Sequence, residues 1–261
     1  MTDDVPATEP VSAPADTPTP KSRWMTGRSM LALAVSVVAL GFAAAPYVVP
    51  GLFGAQVRAY LLAHPEVLAE AQVAYQVKQQ NDQFARVNAA AAANPGALRA
   101  APGEPVFGPE DARVTVVQFF DYQCPYCKAA APDFLRLMQA NPDVRFIFKE
   151  WPILDHGEGI TSRYAAQAAL AAQAQGKYLA VHEALMAERA LTPQAVDRIL
   201  AANGVKGPVS SPEAARIVTN VRIDATNLTI EGTPTFFING KASPTHDPAG
   251  LAQIINAEKA K

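Results

Sequence analysis

The only two cysteines of this 261-residue chain stand two positions apart, in Cys124-Pro125-Tyr126-Cys127. Before them runs Val114-Thr115-Val116-Val117-Gln118-Phe119-Phe120, whose β-branched and aromatic residues predict a buried strand. After them, Ala129 to Met138 predicts a helix. A Cys-x-x-Cys pair at a strand-to-helix turn is suited to thiol–disulfide chemistry. The free N–H groups and partial positive charge of a helix start favour thiolate over thiol. Other uses of two cysteines fit less well. A zinc site would draw its missing ligands from His64, His156, His182 or His246, and none has ligand spacing with the pair. Residue 128 is lysine, not the histidine of a c-type haem attachment. Two cysteines cannot build a disulfide framework, and inert buried thiols are the bland alternative. No metal or cofactor is therefore expected. A formal charge of −2 gives no basic field, so nucleic acid is not expected as a partner.

The elements that must position the pair can be read in order. Residues 1–29 are rich in proline and small polar residues and are expected to be a disordered, cytoplasmic N-terminus. Residues 30–53 include a charge-free apolar run from Met30 to Val49, preceded by Lys21, Arg23 and Arg28. About twenty apolar residues suit a membrane-crossing helix, and the leading positive charges would keep the N-terminus inside. A retained anchor is the preferred reading, with signal cleavage near Ala43-Ala44-Ala45 as the alternative. Residues 54–93 show a loose helical apolar pattern and are read as a helical stalk for oligomerisation, or as a polar spacer. Residues 94–103 read as a linker. The domain of residues 104–261 then shows strand, Cys-x-x-Cys helix, strand, helical block, strand pair and helix. This is an α/β, thioredoxin-like layout with a helical insertion at about 158–230. Asn239-Gly240 marks the turn of the strand pair.

Four motifs carry a resemblance. Cys124-Pro125-Tyr126-Cys127, Lys149-Glu150-Trp151-Pro152-Ile153-Leu154, Gln175-Gly176-Lys177-Tyr178 and Gly232-Thr233-Pro234-Thr235-Phe236-Phe237-Ile238-Asn239-Gly240 together resemble the DsbA family of thiol-disulfide oxidoreductases. The stretch from Val57 to Leu68 is similar to the N-terminal extension of the ScsC-like and Com1-like subgroup, some of which form trimers. The resemblance implies that Cys124 is an exposed nucleophile, that Cys127 is a buried resolving thiol, and that Pro125 and Tyr126 tune the thiolate. It implies a cis-proline loop at Thr233-Pro234 that pairs with substrate. One position departs: an acidic residue is common six places before the first cysteine, and here that place holds Gln118. Proton transfer from Cys127 then falls to another group such as Lys149 or Glu150, or to water, although an ordinary exposed strand lysine is an equal reading of Lys149. Asp121 reads as a polar strand-end residue, Tyr122 as packing, and His64, His156 and His182 as structural.

The expected function is an exported disulfide isomerase or reductase acting on protein substrates. It would be served by a membrane redox partner and assembled as a trimer or dimer through residues 54–93. The threonine before the cis-proline resembles the isomerase and reductase branches. A disulfide-forming oxidase is the nearest alternative. A Cu(I)-binding or chaperone module using the same thiols is the alternative of another class, and a surface antigen with a vestigial site is a third.

Overall fold

A computed structural model describes residues 27–48, 52–155 and 161–261. The chain divides into two compact units, Met1–Val73 and Ala74–Lys261.

In the first unit, helix α1 spans Gly27–Val48 and α2 spans Leu52–Ala63. Helix α3, Pro65–Ala93, starts here with proline at its first position, where the missing N–H costs nothing. The expected disordered stretch falls mostly outside the described residues, and residues 27–29 already belong to α1. The expected membrane span over residues 30–53 is not met, because no helix among the described residues is long and apolar enough to cross a membrane. Val57, Tyr60, Leu62, Leu68 and Val73 are exposed in this unit.

The second unit is built on a five-stranded sheet of order β1-β3-β2-β4-β5. Its strands are β1 Val106–Phe107, β2 Thr115–Phe120, β3 Arg145–Glu150, β4 Thr235–Ile238 and β5 Lys241–Ala242. β2 and β3 are parallel, with Phe119 opposite Lys149 and Phe120 opposite Glu150. β4 lies antiparallel on the other side of β2. Side chains alternate across a sheet, so each strand supplies both faces. One face buries Val116, Phe120, Phe146, Phe148, Phe236 and Ile238 against α4 (Pro125–Ala140) and α9 (Pro248–Lys259). The other buries Val117, Phe119, Ile147 and Phe237 against α8 (Pro212–Asn227) and the end of α3. The insertion consists of α5 (Thr161–Gln173), α6 (Tyr178–Ala187), α7 (Pro193–Ala202) and α8. Thr192 and Ser211 cap α7 and α8 through their hydroxyls, each followed by proline.

Two local features depend on residue type. Asn239 and Gly240 both take positive φ, 47° and 81°, as a tight hairpin of this kind requires. At Gly108, φ is +91° and a Cβ would meet the Val144 carbonyl oxygen at 2.0 Å, so the chain passes there only without a side chain.

The expected boundary at residue 104 moves. Val87 and Ala91 of α3 are buried with Phe119 and Phe237, so the C-terminal part of the expected stalk packs into the domain. The expected linker over 94–103 contains a 3-10 helix, Pro95–Leu98, with Ala97 and Leu98 buried in the same cluster. Small apolar residues, which looked like linker composition, here allow close packing on the sheet.

Candidate active site

Strand β2 ends at Phe120, and Asp121 turns the chain into α4. The Asp121 carboxylate accepts from the backbone N–H of Gln123 at 2.7 Å, the Ser162 hydroxyl at 2.7 Å and the Leu154 N–H at 2.9 Å. It thereby ties the start of α4 to the segment after β3 and to α5. Burial pushes its carboxyl upward, opposed by these hydrogen bonds.

Cys124 occupies the N-cap of α4, the position where serine usually accepts a backbone N–H. Its sulfur takes that role, accepting from the Cys127 N–H at 3.4 Å. Pro125 follows as the first helical residue, with no N–H to leave unsatisfied. Both cysteines are free thiols. The peptide between Thr233 and Pro234 is cis, and the Cys124 thiol donates to the Thr233 carbonyl at 3.2 Å. The four expected site positions 124, 127, 233 and 234 therefore come together. Pro125 and Tyr126 complete the first turn, and Tyr126 lies at the rim, 65% exposed, its ring centroid 6.1 Å from that of His246. The expected exposure of Cys124 is not met. It is only 4% exposed, because the cis-proline loop covers its sulfur.

The two sulfurs are driven in opposite directions. The Cys127 thiol beside Cys124 holds the Cys124 thiol down to about 5. Desolvation opposes this, while the Thr233 side chain and the N–H groups of Cys127 and Tyr126 help it. The carbonyl contact of Thr233 belongs to the protonated sulfur, since a thiolate has no proton to donate. Cys127 is pushed up, first by its hydrogen bond to Cys124 and then by complete burial. One sulfur is thus disposed to be a thiolate while the other keeps its proton.

Beneath the pair, on the α4 face of the sheet, lies a polar network that sequence reading missed. Glu150 Oε1 accepts from the Tyr122 hydroxyl at 3.0 Å and the Tyr178 hydroxyl at 2.8 Å. Tyr122 also meets His182 Nδ1 at 2.9 Å. Burial raises Glu150 well above the usual carboxylate range and holds His182 down to about 3, so the network is neutral. Gln118 points to this same face, and its Oε1, like Glu150 Oε2, is buried with no hydrogen-bond partner among the described residues. These bonds correct the reading of Tyr122 as packing and give His182, read as structural, a hydrogen-bond partner. The available signal was Glu150 beside a strand that brings alternate residues to the α4 face.

Lys149 lies on the opposite face and is 0% exposed, which corrects its reading as an exposed strand lysine. Its Nζ bonds Glu104 at 2.9 Å, Asp224 at 3.0 Å and the Arg99 carbonyl at 2.9 Å. Strand alternation directs it away from Cys127, so of the two groups expected to move protons only Glu150 faces the helix of the thiols. His156 lies outside the described residues. His64 contacts Glu66 at 3.1 Å near the start of α3. Among the described residues no group of three or more His, Cys, Asp or Glu side chains could hold a metal ion.

A parallel pair flanked by antiparallel strands, a Cys-x-x-Cys at a helix start and a cis-proline beside it define a thioredoxin-like protein. The chain belongs to the thioredoxin family, whose model matches residues 100–257, and within it is a DsbA-family, ScsC-like protein. The N-terminal domain model of copper resistance protein ScsC matches residues 52–81. A thioredoxin-like oxidoreductase from Silicibacter pomeroyi DSS-3 is 35% identical with a TM-score of 0.57, covering 63% of this chain and 97% of that one. Proteus mirabilis ScsC in a transitional conformation is 29% identical with a TM-score of 0.60, covering 80% of this chain and 95% of that one. A Na(+)/H(+) antiporter NhaA 3 of Salinispora tropica is 33% identical over 160 residues, 58% of this chain and 24% of that protein. The chain spans about a quarter of the length of the curated relatives it matches.

Proposed function

We propose that the chain is a protein thiol-disulfide oxidoreductase working through Cys124 and Cys127. The observation that carries this reading is the opposite poise of the two sulfurs, with Cys124 held down to about 5 and Cys127 pushed up. The Cys124 thiolate attacks a disulfide of the substrate, forming a mixed disulfide and releasing one substrate thiolate, which takes a proton. Cys127 loses its proton, attacks the Cys124 sulfur and releases the second substrate thiol. The substrate gains two electrons and the protein ends with a Cys124–Cys127 disulfide. In isomerisation, a thiolate of the substrate itself resolves the mixed disulfide and the pair returns to its dithiol form. Thr233 and Pro234 present main chain to the substrate beside Cys124, and Pro125 and Tyr126 tune the thiolate.

The direction we favour is isomerase or reductase. The reason is the threonine that precedes the cis-proline, which resembles the isomerase and reductase branches of the family. A client polypeptide is the substrate class, and a membrane redox partner resets the pair. We place the domain in the periplasm, with the apolar run and the basic residues before it serving as an export signal. Oligomerisation through residues 54–93 is supported by the exposed Val57, Tyr60, Leu62 and Leu68 and by the ScsC N-terminal match. The test is repair of a scrambled-disulfide protein, with Cys124→Ala abolishing the activity. Full repair by that variant would sink the assignment, and a strongly oxidising potential for the pair would reverse the direction.

A further inference from the structure

The carboxyl of Glu150 and the amide of Gln118 each leave one oxygen unused beneath the thiol pair. Both side chains are almost wholly buried. They face α4 from adjacent parallel strands, where Gln118 stands opposite Phe148 and Glu150 opposite Phe120. They are therefore diagonal neighbours, with Cα atoms roughly 8 Å apart by sheet spacing. Glu150 Oε2 and Gln118 Oε1 have no hydrogen-bond partner among the described residues, so they do not bond each other directly.

The two oxygens have complementary needs. Glu150 Oε1 already accepts from the Tyr122 hydroxyl at 3.0 Å and the Tyr178 hydroxyl at 2.8 Å. With both hydroxyls donating to Oε1, the proton of the neutral carboxyl belongs on Oε2. Burial holds Glu150 well above the usual carboxylate range and keeps that proton in place. Tyr122 spends its hydrogen on Glu150, so His182 Nδ1, 2.9 Å away, is the donor in their contact. Oε2–H is then a donor without an acceptor, and Gln118 Oε1 an acceptor without a donor. Left apart, each costs the desolvation of a buried polar group. One water between them accepts from the first and donates to the second, and its other hydrogen stays free.

Cys127 is placed to use that hydrogen. It is fully buried, in the same cluster as Phe148 and Phe236, the two residues that flank Gln118 across the sheet. The backbone N–H of Asp121, next in sequence to Phe120, hydrogen-bonds its sulfur.

We propose that a water held between Glu150 and Gln118 supplies the proton that Cys127 takes up when its disulfide with Cys124 is reduced. This relay rests on the redox reading above. A thiolate of a dithiol reductant attacks the Cys124 sulfur, and the Cys124–Cys127 bond breaks with both electrons going to Cys127. The water gives a proton to the leaving Cys127 thiolate and takes the Oε2 proton of Glu150, which solvent then replaces. The second thiol of the reductant frees Cys124 as a thiolate, so two electrons enter the pair. Gln118 positions the water and carries no proton itself. The groups that face Glu150 are Tyr122 from the turn before α4, Tyr178 and His182 from α6, and Asp121 through its charge. Burial pushes both tyrosines up, so they hold their protons while Glu150 gives up its own.

The test uses the full chain, oxidised at Cys124–Cys127, as wild type, Glu150→Gln and Gln118→Leu. Glutamine at 150 keeps an acceptor for the tyrosines and a donor for the water but has no acidic proton. Leucine at 118 removes the water's acceptor. The rate of disulfide reduction by dithiothreitol, expressed per dithiothreitol thiolate, is followed from about pH 5 to pH 10. The wild-type rate is expected to fall as pH rises through the folded value of Glu150. Both variants are expected to show a flat profile, about tenfold slower than wild type on the acid side. A crystal structure of the reduced wild type is expected to show a water within hydrogen-bond distance of Glu150 Oε2 and Gln118 Oε1. Equal profiles in all three proteins overturn the proposal, as does a dry gap in the crystal. A uniformly slower variant that keeps the pH dependence shows a structural role only and also overturns it. A flat profile in Glu150→Gln beside an unchanged Gln118→Leu overturns the water bridge. A wild-type disulfide that dithiothreitol does not reduce would instead sink the redox reading, and the relay with it.

Discussion

Lys149 and Glu150 are neighbours on one strand, both fully buried, and the protein accommodates them in opposite ways. Lys149 enters the face shared with α8, where Glu104 and Asp224 meet its ammonium. Glu150 enters the face shared with α4, where two tyrosine hydroxyls meet it and no cation does. On the first face, charge is kept and paired. On the second, burial keeps the carboxyl protonated and His182 neutral, leaving Cys124 as the group on that side disposed to carry charge. A low-dielectric surround makes each hydrogen bond to the thiolate count for more. The comparison teaches that the sheet separates two tasks, with ionic clamping behind it and redox chemistry in front.

The separation can be broken from either side. The largest effect is expected from Lys149→Met, which strands the buried Glu104 carboxylate. A loss of about 3–5 kcal/mol in urea unfolding is predicted, with Glu104→Gln recovering a substantial part in the double variant. A cost as small as that of a surface substitution would show that the clamp carries little. Glu150→Gln comes next, keeping an acceptor for both tyrosines at a cost of about 1.5 kcal/mol or less at neutral pH. Its sharper readout is the pH profile. Glu150 is raised above its ordinary 4.5, so its stabilisation is present below that value and is lost as pH rises through its folded value. The variant should lack this loss. His182 works the other way: lowered from 6.5 to about 3, it stabilises fully above 6.5 and the contribution is lost as pH falls through about 3. That acid limb should survive in Glu150→Gln. A vanished acid limb would mean the two groups titrate as one. The smallest effect is expected from Thr233→Val, which retains the carbonyl and removes the hydroxyl. Cys124 should rise by on the order of one pKa unit, followed by thiolate absorbance. No rise would assign the stabilisation to the helix start and Cys127 alone.

Much of this was legible in the chain. The strand Thr115–Phe120, the helix opened by Cys124-Pro125, the four helices of the insertion and the Asn239-Gly240 turn all follow from local pattern and cap chemistry. What escaped was set by tertiary contact. Alanine at 91 and 97 looks like spacer until Phe119 and Phe237 cover it. Lysine on a strand looks exposed until Glu104, 45 residues earlier, folds under it. Tyr178 and His182, one turn apart on α6, are distant in sequence from Tyr122 and Glu150, and only the fold brings the two tyrosines to Glu150 and His182 to Tyr122. Gln118 signalled a missing acid, but the register that sets Glu150 opposite Phe120, on the same face as Gln118, belongs to the folded sheet.

The central claim is that Cys124 alone is the reactive thiolate. Alkylation of the reduced full chain, followed from about pH 3 to pH 9 with the modified cysteine located by peptide mapping, tests it most directly. The account predicts half-maximal reactivity near pH 5, with Cys124 modified and Cys127 untouched at neutral pH. Half-maximal reactivity near the ordinary thiol value, with both cysteines modified alike, would contradict it.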